Sequence, residues 1–168
     1  MKHSSLAIAL SSIVALVGCG EQSSRSTDSS ASVSVQNAAW LLETEPTGAV
    51  SVSEVKSIAT EGQTIVVRGR IGGRKETISD GSPVFTIVDL ALPHCGEIPG
   101  DKCTKPWDYC CEKPEDLTAN MATIRLASGD PRDGSLKELD EVIIKGTVGP
   151  RPNASVFTVN ATGVYVVK

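Results

Sequence analysis

The chain has 168 residues and a formal net charge of −4, a length that suits one domain plus a tether. Sixteen Lys and Arg against 20 Asp and Glu disfavour nucleic acid as a partner, because neutralising phosphates needs a basic face. An apolar content of 40% with 21% charged residues excludes both disorder throughout and a polytopic membrane protein. Aromatic residues make up only 4%, so the core has to be built from Val, Ile, Leu and Ala.

Residues 1–20 read MKHSSLAIALSSIVALVGCG. Lys2 and His3 give a basic start. The apolar run that follows is broken by Ser11 and Ser12 and is too short to span a bilayer comfortably, so it reads as an export signal. Leu16-Val17-Gly18-Cys19 resembles the lipobox of bacterial lipoprotein signal peptides, whose peptidase cuts before a diacylglycerol-modified cysteine. That resemblance implies loss of residues 1–18 as a signal peptide and acylation, palmitate included, at Cys19. Two or three acyl chains on one residue anchor stably where one gives marginal binding. The domain is therefore expected at a membrane of the cell envelope, facing the periplasm or the exterior. Gly20 is not the aspartate that marks inner-membrane retention in well-studied proteobacteria, and both membranes stay open. Residues 20–36 hold seven serines in seventeen positions and cannot bury enough surface to order themselves. Residues 19–47 are read as a flexible tether, and the serine-rich part spans about 20–25 Å.

The globular part is assigned to residues 48–168. Ser51-Val52-Ser53-Glu54 is a capping-box pattern, followed by Val55, Ile58 and Ala59 on one face before Glu61-Gly62, which predicts a short amphipathic helix. Runs rich in β-branched residues then follow over 64–71, 83–90, 121–127, 141–148 and 155–167, the last interrupted at Gly163. Five or six short strands separated by turn residues predict a small barrel or sandwich. Alternation places Val67, Gly69 and Ile71 on one face of the first run and Val66, Arg68 and Arg70 on the other. Likewise Ala122, Ile124 and Leu126 oppose Thr123 and Arg125, and Val142, Ile144, Gly146 and Val148 oppose Ile143, Lys145 and Thr147. The wet face carries Arg68, Arg70, Arg125 and Lys145, whose convergence depends on strand order.

The order of a helix, then Val66-Val67-Arg68-Gly69-Arg70-Ile71, Val84-Phe85-Thr86-Ile87-Val88-Asp89, Thr123-Ile124-Arg125-Leu126, a short helix at Ser135-Leu136-Lys137-Glu138, Val142 to Val148 and a last strand resembles an OB-fold. It is similar to the tRNA-anticodon type and to exported bacterial OB-fold proteins. The resemblance implies a mainly β, five- to six-stranded OB-like barrel with a short N-terminal helix, a short inter-strand helix and a Cys-rich insert. The chain also resembles a group of uncharacterised Cys-rich envelope lipoproteins of Planctomycetes-like bacteria that carry a Pro-Trp-Asp-Tyr-Cys-Cys segment.

The insert spans 90–117. Cys95, Cys103, Cys110 and Cys111 fall within seventeen residues of it, among Pro93, Pro99, Pro106, Pro114, Gly96 and Gly100, which argues against a helix or long strand through it. A structureless loop of this length needs a reason to be ordered. In an oxidising compartment two disulfides are the ordinary reason, each contributing about 2–4 kcal/mol. Adjacent Cys110 and Cys111 close a strained ring, so Cys95 and Cys103 are each expected to meet one of that pair. The alternative is a thiolate metal or redox site with the same four cysteines and His94 as a further donor, since sulfur and imidazole suit Zn, Cu(I) or iron. The spacing lacks the two-residue separation usual for paired zinc ligands. No C-x-x-C supports thioredoxin-like chemistry.

Trp107 and Tyr109 either cover this loop or form an exposed aromatic platform for a ligand. Residues 128–134 hint at a calcium loop, but Arg132 stands where an oxygen ligand is required. His94 is the only histidine after residue 18, and there is no G-x-S-x-G, H-E-x-x-H or phosphate-cradling glycine loop. These observations predict a non-enzymatic, membrane-tethered OB-like module that recognises an envelope protein or small ligand through a disulfide-stapled loop. Trp107, Tyr109, Arg68 and Arg70 are its expected binding residues, and no cofactor or metal is expected on that reading. Single-stranded nucleic acid on the Arg68, Arg70, Arg125 and Lys145 face follows from fold analogy alone.

Overall fold

The computed structural model describes residues 38–168. The expected signal peptide, Cys19 and the serine-rich stretch lie outside the described residues. Among the described residues no helix is long and apolar enough to cross a membrane.

Strict alternation forms the barrel walls. In β2 (Thr64–Ile71) every second residue from Ile65 is buried, and β5 (Glu141–Val148) pairs antiparallel with it along its length, Thr64 opposite Thr147 and Arg70 opposite Glu141. A pleated ribbon with one apolar face must cover that face. It does so by curling through β3 (Val84–Val88), β4 (Met121–Arg125) and β6 (Thr158–Val166). The strand order is β1-β2-β3-β4-β6-β5, with β1 (Val50–Ser51) as an added edge and β2–β5 contact closing a five-stranded barrel. The β4–β6 contact is parallel while β2–β3, β3–β4 and β5–β6 are antiparallel. This is a small OB-like barrel, as the strand pattern and the resemblance lead one to expect. Its core is aliphatic: Val67, Ile71, Ile87, Ile124, Val142, Ile144, Val159 and Val164 are fully enclosed, with Phe85 and Phe157 the two phenylalanines among them.

Helix α1 (Val52–Ile58) is capped by Ser51, whose side chain accepts from the Glu54 N–H. It buries Val52, Val55 and Lys56, and Ala59 just beyond it. Ile58 is not on that face: starting at Val52, the 3.6-residue period carries position 58 to the far side, where it is 65% exposed. The buried Lys56 ammonium donates to the carbonyls of Thr118 (2.5 Å), Met121 (3.2 Å) and Ser155 (3.2 Å), tying α1 to the chain entering β4 and to the loop before β6.

Two expectations are corrected. The inter-strand helix is not at 135–138. A 3₁₀ turn, Pro131–Gly134, forms one step earlier because Asp130 caps it, and Ser135 ends it in the left-handed region. β6 is continuous through Gly163, and the expected break there takes the form of a bulge: Gly163 pairs with Lys145 and Ala161 with Gly146, which leaves Thr162 between them without a partner in the ladder. Residues 38–47, read as tether, include a segment fixed to the barrel. The Leu42 N–H donates to Val164 and the Val164 N–H to Trp40, both at 2.8 Å, and the Trp40 indole lies directly on Gly134.

Candidate functional site

The insert leaves β3 at Asp89. This carboxylate is 2% exposed and accepts from Ser53 N–H (2.8 Å), Ser53 Oγ (2.7 Å) and Ala91 N–H (3.0 Å). Burial pushes its pKa up, but hydrogen bonds from Ala91 and Ser53, with Ser51 behind them, hold it below the usual carboxylate range. The strand is thus turned outward over the start of α1.

Three short elements then shape the loop, and no helix or long strand runs through it. Cys95–Glu97 is a 3₁₀ turn capped reciprocally by His94, whose Nδ1 accepts from Gly96 while Glu97 accepts from the His94 N–H. Pro106–Asp108 is a second, with proline at its start and Tyr109 leaving it at φ 56°. α2 (Pro114–Ala119) returns the chain to β4. Between them Asp101 Oδ1 accepts from Cys103 N–H (2.7 Å) and Asp108 Oδ1 from Cys110 N–H (2.9 Å). Each Asp-x-Cys is an Asx turn that places a thiol. The sequence carries this signal twice.

Tyr109 anchors the insert to the barrel end. It is 1% exposed and packs with Val88, Leu92, Leu117 and Met121 in a small cluster apart from the main core. The Trp107 carbonyl accepts from the Gly73 N–H at 2.8 Å. A Cβ on Gly72 would lie 2.7 Å from the tyrosine ring, and Gly73, at φ +91°, would press one on Val88 and Met121. The glycine pair after β2 therefore forms the seat. The Tyr109 hydroxyl is enclosed without a hydrogen-bond partner. Burial pushes its pKa up, offset in part by the Arg70 guanidinium.

The sulfurs converge. Cys95 is fully buried, with Cys110 Sγ 3.6 Å away, and Cys110 lies 3.7 Å from Cys103. The Cys111 thiol donates to Asp101 Oδ2 at 3.0 Å. Two sets of donor atoms lie mutually within 4.8 Å: the four of Cys95, Cys103, Asp108 and Cys110, and the smaller trio of Cys95, Asp101 and Cys111. No sulfur pair among the described residues is at bonding distance. The expected scheme, Cys95 and Cys103 each with one of the adjacent pair, needs Cys111 to leave Asp101 and close on Cys95 or Cys103, with Cys110 closing on the other. Burial pushes the Cys95 thiol up, yet the Cys111 N–H and the thiols of Cys111, Cys110 and Cys103 bring it below the ordinary cysteine value. Donation to Asp101, the largest influence, pushes Cys111 up to about 12. Cys110 is raised further, by its contacts with Cys95 and Cys103.

Several expected site residues are placed differently. Tyr109 is a buried anchor and offers no platform, whereas Trp107 stays half-exposed, its Nε1 3.5 Å from the Lys75 carbonyl. His94 is occupied as a cap and in an ion-pair contact with Glu97, so it belongs to neither donor set. Asp101 and Asp108 take that place. Arg68 pairs with Glu141 and Arg70 with Glu97, the latter at 3.2 Å, so neither guanidinium is offered alone to a ligand. The four basic residues do not converge, because Arg125 lies on β4 and the other three on the adjacent β2 and β5. Asp130 caps its own turn and accepts from Gly81 and Arg132, as a turn reading requires. An open groove of about 340 Å³ lies between residues 74–82 and the β3–β4 face, lined by Arg74, Thr77, Phe85 and Thr123. No residue of the insert lines it.

No protein-family model and no curated protein matches the chain. Solved structures similar to it include the hypothetical protein ygiW from E. coli (17% identity, 73% of this chain and 94% of that one, TM-score 0.40). Another is a putative aspartyl-tRNA synthetase from Leishmania major (12% identity, 75% of this chain but 22% of that one, TM-score 0.41). A DUF3299 family protein from Pseudomonas aeruginosa is similar at 15% identity, over 64% of this chain and 63% of that one, with a TM-score of 0.36.

Proposed function

We propose that this chain is a non-enzymatic OB-like binding module, held at an envelope membrane by acylated Cys19, that recognises its partner or ligand through the insert. One observation carries the reading: the insert is a pre-shaped loop seated on the barrel by Tyr109 and the Gly72-Gly73 turn, with Trp107 half-exposed on it. Recognition on a loop fixed to a rigid barrel loses little entropy on binding. The insert's six acidic residues against three lysines between 93 and 117 favour a cationic ligand or a basic partner surface.

A photo-crosslinking residue at position 107 of the full chain, expressed in a bacterial envelope, tests this. One discrete adduct from 107 and none from a control at 125, on the far end of β4, is expected. Equal labelling from both positions, or none from 107, contradicts the reading. Cys19→Ser is expected to move the chain from the membrane to the soluble fraction, and retention there contradicts the tether. The sulfur spacing favours a second reading, in which the cysteines form a thiolate centre in place of a staple.

A further inference from the structure

We propose that Cys95, Cys103, Cys110 and Asp108 form a four-donor site for one divalent cation of the zinc class. A tetrahedral ion with Zn–S bonds of about 2.3 Å sets its sulfurs about 3.8 Å apart. The Cys95–Cys110 and Cys103–Cys110 separations are 3.6 and 3.7 Å, and the carboxylate of Asp108 completes a set mutually within 4.8 Å. The spacing of seven and six residues between these cysteines does not prevent this. Each comes from a separate turn: Cys95 from the His94-capped turn, Cys103 from the Asp101 turn, Cys110 from the Asp108 turn.

Asp108 is suited to two tasks. One oxygen receives the Cys110 N–H and fixes that ligand's backbone, and the carboxylate also lies within reach of the three sulfurs, an arrangement in which a ligand also orients its neighbour. Three thiolates and one carboxylate are a donor set for zinc and its borderline relatives. Copper(I) prefers sulfur alone, and magnesium or calcium require oxygen. Cys111 stands outside the set because its thiol is given to Asp101, and the smaller trio of Cys95, Asp101 and Cys111 lacks a fourth donor. This site rests on the insert being the working part of the molecule.

The test uses the full chain in detergent, reduced and stripped of metal without oxygen, then titrated with Co²⁺. One equivalent is expected to give a thiolate-to-cobalt charge-transfer band in the near ultraviolet and the visible bands of a tetrahedral ion, both removed by Zn²⁺. Cys103→Ser and Cys110→Ser are expected to abolish the band, and Cys111→Ser to keep it. Asp108→Asn retains the turn through its amide oxygen, and is expected to weaken binding by about tenfold or more. Cys95 is buried, so the half-exposed Cys103 is the decisive variant, checked by unchanged near-ultraviolet circular dichroism. Absence of the band in the reduced chain, or equal loss in Cys111→Ser and Cys103→Ser, overturns the site. A chain that takes no Co²⁺ yet still crosslinks from position 107 overturns the metal site alone and leaves recognition by the insert standing.

Discussion

Asp89 and Lys56 are buried ions with opposite tasks. Asp89 gathers Ser53 and Ala91 around its carboxylate where β3 ends. Its folded pKa lies below the unfolded value of about 3.9, so its contribution is complete above that value and is lost as pH falls through the folded pKa. Wild-type protein is therefore expected to lose urea resistance more steeply below about pH 4 than Asp89→Asn, measured as the midpoint against pH. Parallel curves contradict this. Lys56 holds three carbonyls, and burial, then repulsion from Arg151, lowers its pKa. Lys56→Met leaves those carbonyls without their donor and is expected to cost about 1–3 kcal/mol in a denaturant melt. Neither residue is legible from sequence, because a lone Asp after a strand and a Lys in a short helix look like solvated charges. Tyr109 is unreadable for a related reason: its direction is set by the left-handed turn after Pro106, not by any period.

At the scale of elements, β2 and β5 are readable to the residue, since one buried face imposes a period of two on eight consecutive positions. Short elements are not. The 3₁₀ turn at Pro131–Gly134 is set by the Asp130 cap rather than by Ser135, with Trp40 packed on Gly134. The Trp40 segment itself is a five-residue apolar run, Ala38-Ala39-Trp40-Leu41-Leu42, without the alternation that marks a strand. In the insert, the two Asp-x-Cys turns are visible in the sequence, but only folding shows that they aim their thiols at Cys95. Gly72→Ala puts a methyl into the Tyr109 ring, and overpacking of this kind costs about 1–3 kcal/mol. It is expected to unseat the insert while keeping the barrel. Cys95 in the reduced protein should then alkylate faster, with far-ultraviolet circular dichroism unchanged. Unaltered Cys95 protection contradicts the docking geometry.

For the whole molecule, the barrel supplies a closed, aliphatic frame and the insert gathers the chemistry at one end. The basic residues of the outer face are divided: Arg70 is spent on Glu97 of the insert, Arg68 on Glu141, and Arg125 lies across the barrel. A single-stranded oligonucleotide is accordingly expected not to bind the full chain even at low salt, where phosphate contacts are strongest. Salt-dependent binding would restore the fold analogy that this charge distribution argues against. The insert's excess of carboxylates over lysines instead suits a cation.

The most direct measurement is the native mass of the full chain released from a bacterial envelope without reductant, before and after chelation. The account predicts one bound divalent ion that chelation removes, with all four insert cysteines in the reduced state and open to alkylation once the ion is gone. A metal-free mass carrying two disulfides, with Cys95 and Cys103 each joined to one of Cys110 and Cys111, would contradict it.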